Sequence, residues 1–225
     1  MPAFPRAELE EMIRRFVATN DECGRTGDWE PLARFYAPDA IYSWNNGPKY
    51  EFVARGRDEI RKYVMGTEME GLDKWTYPYV RTLIDDQKGE IIGIWRQIAP
   101  VLGDDGKPIE IGGTGGSWFR YGGDWQWAWQ RDFFDQGCAG AVFLDLMQKG
   151  QLSEAMQERM KRGPRMPGWV KRKDFDWYAT IADREDGLTA GSQIASIAAF
   201  SAASPQRPPA PPSISAAMQA IQYGV

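Results

Sequence analysis

Apolar side chains recur at helical spacing at Leu9, Met12, Ile13, Phe16 and Val17, which predicts an amphipathic helix from near Ala7 to the glycines at 24 and 27. Asp28 then caps a short helix over 29–36, stopped by Pro38. Residues 40–44 read as a strand, broken by Asn46, Gly47 and Pro48, and residues 56–65 as a third helix with Ile60 and Val64 on one face. Beyond this point the period changes. Residues 75–85 are rich in aromatic and β-branched side chains, 86–89 form a turn, and 90–101 form the return strand. A turn at 103–106 leads into a long strand over 108–121, and Gly122-Gly123 reads as a hairpin turn into a last strand over 125–134. Two helical stretches follow, 141–149 and 153–162. The pattern breaks at 162–168, and the tail is Ala/Ser-rich, then Pro-rich at 205–212. Helices followed by a run of antiparallel strands predict an α+β fold, with a curved, mostly antiparallel sheet backed by the N-terminal helices. The expected division is a pocket domain over 1–136, a helical extension over 137–162 and an extended arm over 163–225.

Composition narrows the chemistry. With 31 acidic against 27 basic side chains the net charge is −4, which gives no electrostatic case for nucleic acid or an anionic membrane surface. Histidine is absent. That removes serine and cysteine triads, His-ligated zinc, haem and the usual neutral-pH proton shuttle. Acid–base chemistry must then use Asp, Glu, Tyr, Lys or water. Cys23 and Cys138 give no disulfide framework and no clustered metal ligands, so no metal is expected and a reducing compartment fits best. The first eight residues hold no apolar core of signal-peptide length, and no apolar run reaches a membrane span, so a cytoplasmic location is expected. Ten Trp, ten Phe and nine Tyr suit a well-filled core or an aromatic ligand, and composition alone favours the core. The glycine-rich run at 112–116 has the composition of a phosphate loop. It precedes a strand-like Ser117-Trp118-Phe119 and lacks the P-loop lysine, so it reads as strand curvature and pocket clearance.

Alternation along the last strand places Gln126, Ala128, Gln130, Asp132 and Phe134 on one face, and Trp125, Trp127, Trp129, Arg131 and Phe133 on the other. A two-residue Gly122-Gly123 loop would set Gly113 opposite Asp132, Gly115 opposite Gln130 and Ser117 opposite Ala128. The Asp132 face would then be cleared by small residues, although another loop length or a bulge would change that pairing. The opposite face would carry Trp118, Trp125, Trp127 and Trp129 as a ladder. Either a C-terminal helix or a second copy would cover it, the latter giving a homodimer or higher homo-oligomer. Asp132 is an acid on an apolar strand, either a general base or acid or else an ion-pair partner of Arg131 or Arg96. Arg96 stands between Ile94 and Ile98 on its strand face, where it could orient Asp132 or stabilise an oxyanion. Tyr42 suits a hydrogen bond to a substrate hydroxyl or a place in the core. Trp75, Tyr77 and Tyr79 share a face, and with Trp44, Trp95 and Phe134 are candidates for cavity walls.

Phe16, Gly27-Asp28-Trp29, Leu32, the run 35–40, Gly56-Arg57-Asp58-Glu59-Ile60 and the run 129–135 together resemble the nuclear transport factor 2-like superfamily, which includes the SnoaL-like cyclases and limonene-epoxide hydrolases. The resemblance covers about residues 7–136. It implies a cone-shaped, barrel-like sheet, a deep pocket between its concave face and the helices, and dimerisation through the outer sheet face. Of the epoxide-hydrolase set, Tyr42 matches the water-holding Tyr, Arg96 the relay Arg and Asp132 one relay acid. The Asn position falls on Trp44 and the second acid position on Ile98. Steroid-isomerase members need a carboxylate near the end of the first strand, and residues 41–45 have none. The reading that remains is a cofactor-independent lyase acting by acid–base chemistry on a hydroxylated aromatic small molecule. Asp132, Arg96 and Tyr42 would be catalytic, with Trp44, Tyr77, Tyr79, Ile98, Ser117, Phe119, Gln130 and Phe134 as substrate contacts. The Trp-rich last hairpin and long chain are similar to bacterial lyases that eliminate water and formaldehyde from lignin-derived diaryl compounds to give a stilbene. The alternatives are an epoxide hydrolase or isomerase on an apolar substrate, and a non-catalytic small-molecule-binding or dimeric scaffold protein.

Overall fold

A computed structural model describes residues 3–182; the Ala/Ser-rich and Pro-rich tail expected as an arm lies outside the described residues. Helix α1 spans Arg6–Thr26 and ends as its sequence predicts. Gly27 adopts φ +80°, and its N–H bonds Cys23 O at 2.7 Å, a left-handed cap that glycine takes without a Cβ clash. Leu9, Met12, Ile13 and Phe16 form its buried face. A 3-10 turn, Glu30–Phe35, leads directly into β1, Tyr36–Asn46. The strand therefore starts four residues before Ala40, and Pro38 lies within it rather than merely stopping a helix.

The turn after Asn46 is a hairpin into β2, Tyr50–Arg55, a strand the sequence reading passed over. Its alternation is real but atypical, because Phe52 and Ala54 face inward while Glu51 is buried on the other side. The third helix is a short α turn, α2 at Arg57–Glu59, running into a π-helical Ile60–Gly66. Strands β3 (Tyr79–Asp85), β4 (Glu90–Leu102), β5 (Pro108–Tyr121) and β6 (Trp127–Phe133) follow. Helices α3 (Gln136–Gln148) and α4 (Glu154–Arg162) come next. Finally β7 (Trp169–Lys171) and α5 (Trp177–Ala182) lie in the segment expected to be an arm. The seven-stranded sheet has the order β3-β4-β5-β6-β1-β2-β7. The β1–β6 pair is parallel and every other pair antiparallel. This is an α+β fold in which one curved sheet is flanked by N- and C-terminal helices.

The β5–β6 register differs from the two-residue loop. Residues 122–126 form the connection, with Gly122 N bonded to Gln126 O and Gln126 N to Gly123 O. Asp124 and Trp125 both adopt positive φ, and Arg15 lies over the Trp125 ring at 4.0 Å. Asp132 consequently faces Ser117, and Gln130 faces Phe119. The slip from Gly113 to Ser117 is four positions, an even number, so Gln130 and Asp132 keep the inward parity expected of them. A bulge at Ala128, between the pairs Arg120–Trp129 and Tyr121–Trp127, breaks the alternation. Trp127 therefore turns inward to stack on Phe119 at 4.6 Å, while Trp129 stays outward. The expected four-Trp ladder reduces to Trp118 and Trp129. Trp177 packs edge-to-face on Trp129 at 5.2 Å, in a cluster with Ile41, Val53 and Phe175.

Candidate active site

The concave sheet face, α1, the π-helical turn and the C-terminal helices enclose a cavity of about 200 Å³. For scale, an engineered apolar cavity of about 150 Å³ admits benzene. Its walls are largely aromatic: Trp29, Trp44, Tyr77, Tyr79, Trp95 and Phe134. Ala139 and Phe143 of α3 and Met156 and Arg159 of α4 complete the wall on the far side.

Asp132 lies on the cavity floor at the centre of a one-way hydrogen-bond network. Ser117 Oγ donates to Asp132 Oδ1 at 2.7 Å, Gln130 Nε2 to Oδ1 at 2.7 Å, and Tyr42 Oη to Oδ2 at 2.6 Å. These donors are themselves fixed. Gln130 Nε2 also reaches Tyr42 Oη at 2.8 Å, and Gln130 Oε1 accepts from Tyr36 Oη at 2.5 Å. Ser117 Oγ accepts from Trp95 Nε1 at 3.0 Å and Tyr79 Oη at 3.3 Å. Each carboxylate oxygen has two acceptor sites. Oδ1 is filled by two donors, whereas Oδ2 has only Tyr42 and keeps one site for a proton exchanged with a ligand.

Burial pushes the Asp132 carboxyl above its ordinary value of 3.8, against the pull of the bonds from Gln130, Tyr42 and Ser117 and of the nearby Arg131 charge. Asp132 still retains accessible surface, which belongs to the cavity it lines. Burial, then the Asp132 charge, raises Tyr42 and Tyr36 well above ordinary phenols, so both remain donors. Clearance for this cluster comes from Gly115 on β5, where any Cβ would collide with the Trp95 ring.

Of the expected residues, Asp132, Tyr42, Trp44, Tyr77, Tyr79, Ser117, Gln130 and Phe134 come together here. Three do not. Arg96 points to the other side of β4 and pairs with Glu110 through both its Nε and Nη2, so it can neither orient Asp132 nor stabilise an oxyanion in the cavity. Ile98 shares that outer parity, because the inward positions of β4 are Ile91, Trp95, Gln97 and Ala99. Phe119 is wholly buried between Trp127 and Phe16, a core residue with no surface at the cavity. The ion-pair alternative for Asp132 fails too, since Arg131 points outward to Glu51 at 3.1 Å. Sequence reading missed Tyr36, Glu68 and Arg159. Arg159 and Glu68 form a half-buried ion pair at 2.9 Å on the cavity wall. Each sits in a polar stretch whose charges read as a solvated face, and nothing local marks their inward turn.

A family model for the SnoaL-like domain matches residues 5–138, and the chain belongs to that family. Among solved structures it is similar to PrhC from Penicillium brasilianum, at 14% identity and TM-score 0.49, covering 68% of this chain and 96% of that one. It is also similar to a protein of unknown function with a cystatin-like fold from Methylobium petroleophilum PM1, at 16% identity and TM-score 0.44, over 92% of this chain and 100% of the other. Bal32a from a soil-derived mobile gene cassette shares 20% identity at TM-score 0.42, over 58% and 91% of the two chains. No curated protein matches the chain. Among the described residues, no helix is long and apolar enough to cross a membrane, and no three Cys, Asp or Glu side chains group as a metal site.

Proposed function

We propose that the protein is a lyase that uses Asp132 as an alternating general acid and base on a hydroxylated aromatic molecule bound in the cavity. One observation carries this reading: a buried carboxyl with raised proton affinity, one open acceptor site and a fixed ring of donors, at the floor of an aromatic pocket. A lignin-derived 1,2-diarylpropane-1,3-diol with a para-phenolate ring fits that chemistry. Protonated Asp132 gives its proton to the benzylic hydroxyl, which leaves as water as the phenolate pushes out a quinone methide. The resulting carboxylate then takes the proton of the primary alcohol. The adjacent carbon–carbon bond breaks, formaldehyde departs, and the electron pair returns through the conjugated system to give a stilbene phenolate. Asp132 ends protonated, as it began, and the ring is the electron sink throughout. Water addition to an epoxide is the weaker reading, because the arginine of that relay lies outside the cavity, paired with Glu110.

The test is turnover of such a diol, followed by stilbene absorbance and formaldehyde release, in wild type and Asp132→Asn. The expected result is equimolar stilbene and formaldehyde, with a rate loss of at least about 100-fold in the variant. A folded Asp132→Asn protein with the wild-type rate would sink the assignment. Wild-type binding without conversion across a panel of diaryl diols and epoxides would instead establish a binding protein.

A further inference from the structure

The cavity has a second polar end, built from residues that Asp132 chemistry does not use. Trp29 lines the wall with its ring edge-to-face on Tyr77 at 5.4 Å, which fixes the Tyr77 ring. Tyr77 Oη accepts from Gln97 Nε2 at 3.3 Å, while its own proton meets no acceptor among the described residues. Arg159 reaches the same wall from α4. Its Nη2 donates to Glu68 Oε2 at 2.9 Å, and its Nη1 meets only the Met156 sulfur at 4.0 Å. Glu68 cannot swing to serve the other donors, since Trp169 Nε1 holds its Oε1 at 3.1 Å. Tyr77 lines the same cavity as Arg159 and Asp132.

A phenol O–H and part of a guanidinium thus border the cavity with no acceptor for them among the described residues. An apolar occupant would leave them desolvated and unpaired, whereas an oxygen bearing negative charge would satisfy both. We infer that this end is a subsite for the phenolic oxygen of the substrate, bound as phenolate by Arg159 and Tyr77. The inference rests on the proposed lyase reading for its choice of an aryl oxygen. It completes that chemistry: when the carbon–carbon bond breaks, the electron pair entering the quinone methide settles on this oxygen, opposite the Asp132 that took the alcohol proton. Fixed donors placed where charge develops need no reorganisation during the step.

Binding of 4-nitrophenol tests this without turnover, because its phenolate absorbs in the visible; 4-nitroanisole and 4-nitrobenzoate serve as controls. Wild type is expected to bind the phenol at least about tenfold more tightly than the anisole and to lower its apparent pKa. Arg159→Gln should abolish both effects, and Tyr77→Phe should weaken them. Because Arg159→Gln leaves Glu68 buried without its cation, Glu68→Gln/Arg159→Gln removes the two charges together and carries the test if the single variant does not fold. Asp132→Asn should retain the phenolate preference. Loss of the preference in Asp132→Asn would place the probe at Asp132, and its persistence without Arg159 would free it of this end; either result overturns the inference. Tighter, Arg159-dependent binding of 4-nitrobenzoate would reassign the subsite to a carboxylate and overturn it equally. None of these outcomes depends on Asp132 turning anything over, so failure of the lyase reading would be seen separately.

Discussion

At the scale of single residues, Asp132 sets a conflict between burial and hydrogen bonding, and burial wins. The folded state therefore favours the protonated form more than the unfolded chain does. The associated stability is full below the ordinary value of 3.8 and is lost as pH rises through the raised folded value. Asp132→Asn cannot ionise and lacks this dependence. Urea unfolding of both proteins between about pH 4 and 8 should show wild type losing ground to the variant by about 1.4 kcal/mol per pH unit of upward shift. A pH-independent difference would mean that the carboxyl is not perturbed. Much of this was legible from alternation alone, which put Gln130 and Asp132 inward even with the hairpin register misplaced. Arg96 was not legible. Parity within β4 was clear, but a lone strand does not reveal which of its faces is concave, and a cation flanked by isoleucines looks the same in a core and on an outer face. Glu110, fourteen residues on, is what made the outer position comfortable.

At the scale of elements, β7 serves the inner side of the sheet and α5 its outer face, in a segment the sequence reading assigned to an extended arm. Trp169 packs on Phe52 and bonds Glu68, while Phe175 and Trp177 cover Trp129. Three residues are too short to show a strand period, and β7 exists because β2 offers it an edge. Beneath this cover, Arg131 and Glu51 form a nearly buried pair, with Arg131 also lying 5.1 Å from the Trp177 ring centre. Trp177→Ala should therefore cost about 3 kcal/mol in urea unfolding, through lost packing on Trp129 and wetting of that pair. A change under about 0.5 kcal/mol would show that α5 merely rests on the sheet.

For the molecule as a whole, the family match ends at residue 138, just where the far wall of the cavity begins. The shared domain carries Asp132 and its donors; the extension supplies Phe143, Met156 and Arg159. A chain ending at Asp135 should keep β1 to β6 but, besides losing β7 and α5, uncover Leu72, Trp75, Ala99 and Ile111, which now pack on Ala139, Leu146 and Met156. Its expected behaviour is increased binding of a dye for exposed apolar surface and loss of 4-nitrophenol binding. Wild-type probe affinity in that truncated chain would show that the extension is not part of the site. The composition that first pointed to a filled core proves divided. Phe35, Phe119 and Trp127 fill it, while Trp44, Tyr77 and Trp95 border the space left over.

The bulge at Ala128 has one more consequence, and it concerns chain length. Opposite Arg120 and Tyr121, β6 holds one residue more than alternation needs. Losing Ala128 would leave Trp127 inward, Trp129 outward and Asp132 on the cavity floor. Losing Gln130 or Arg131 would instead turn Trp129 inward, into the place its neighbour on the cavity floor now holds. Relatives that differ in length along this strand thus have a place to gain or drop a residue without moving the acid.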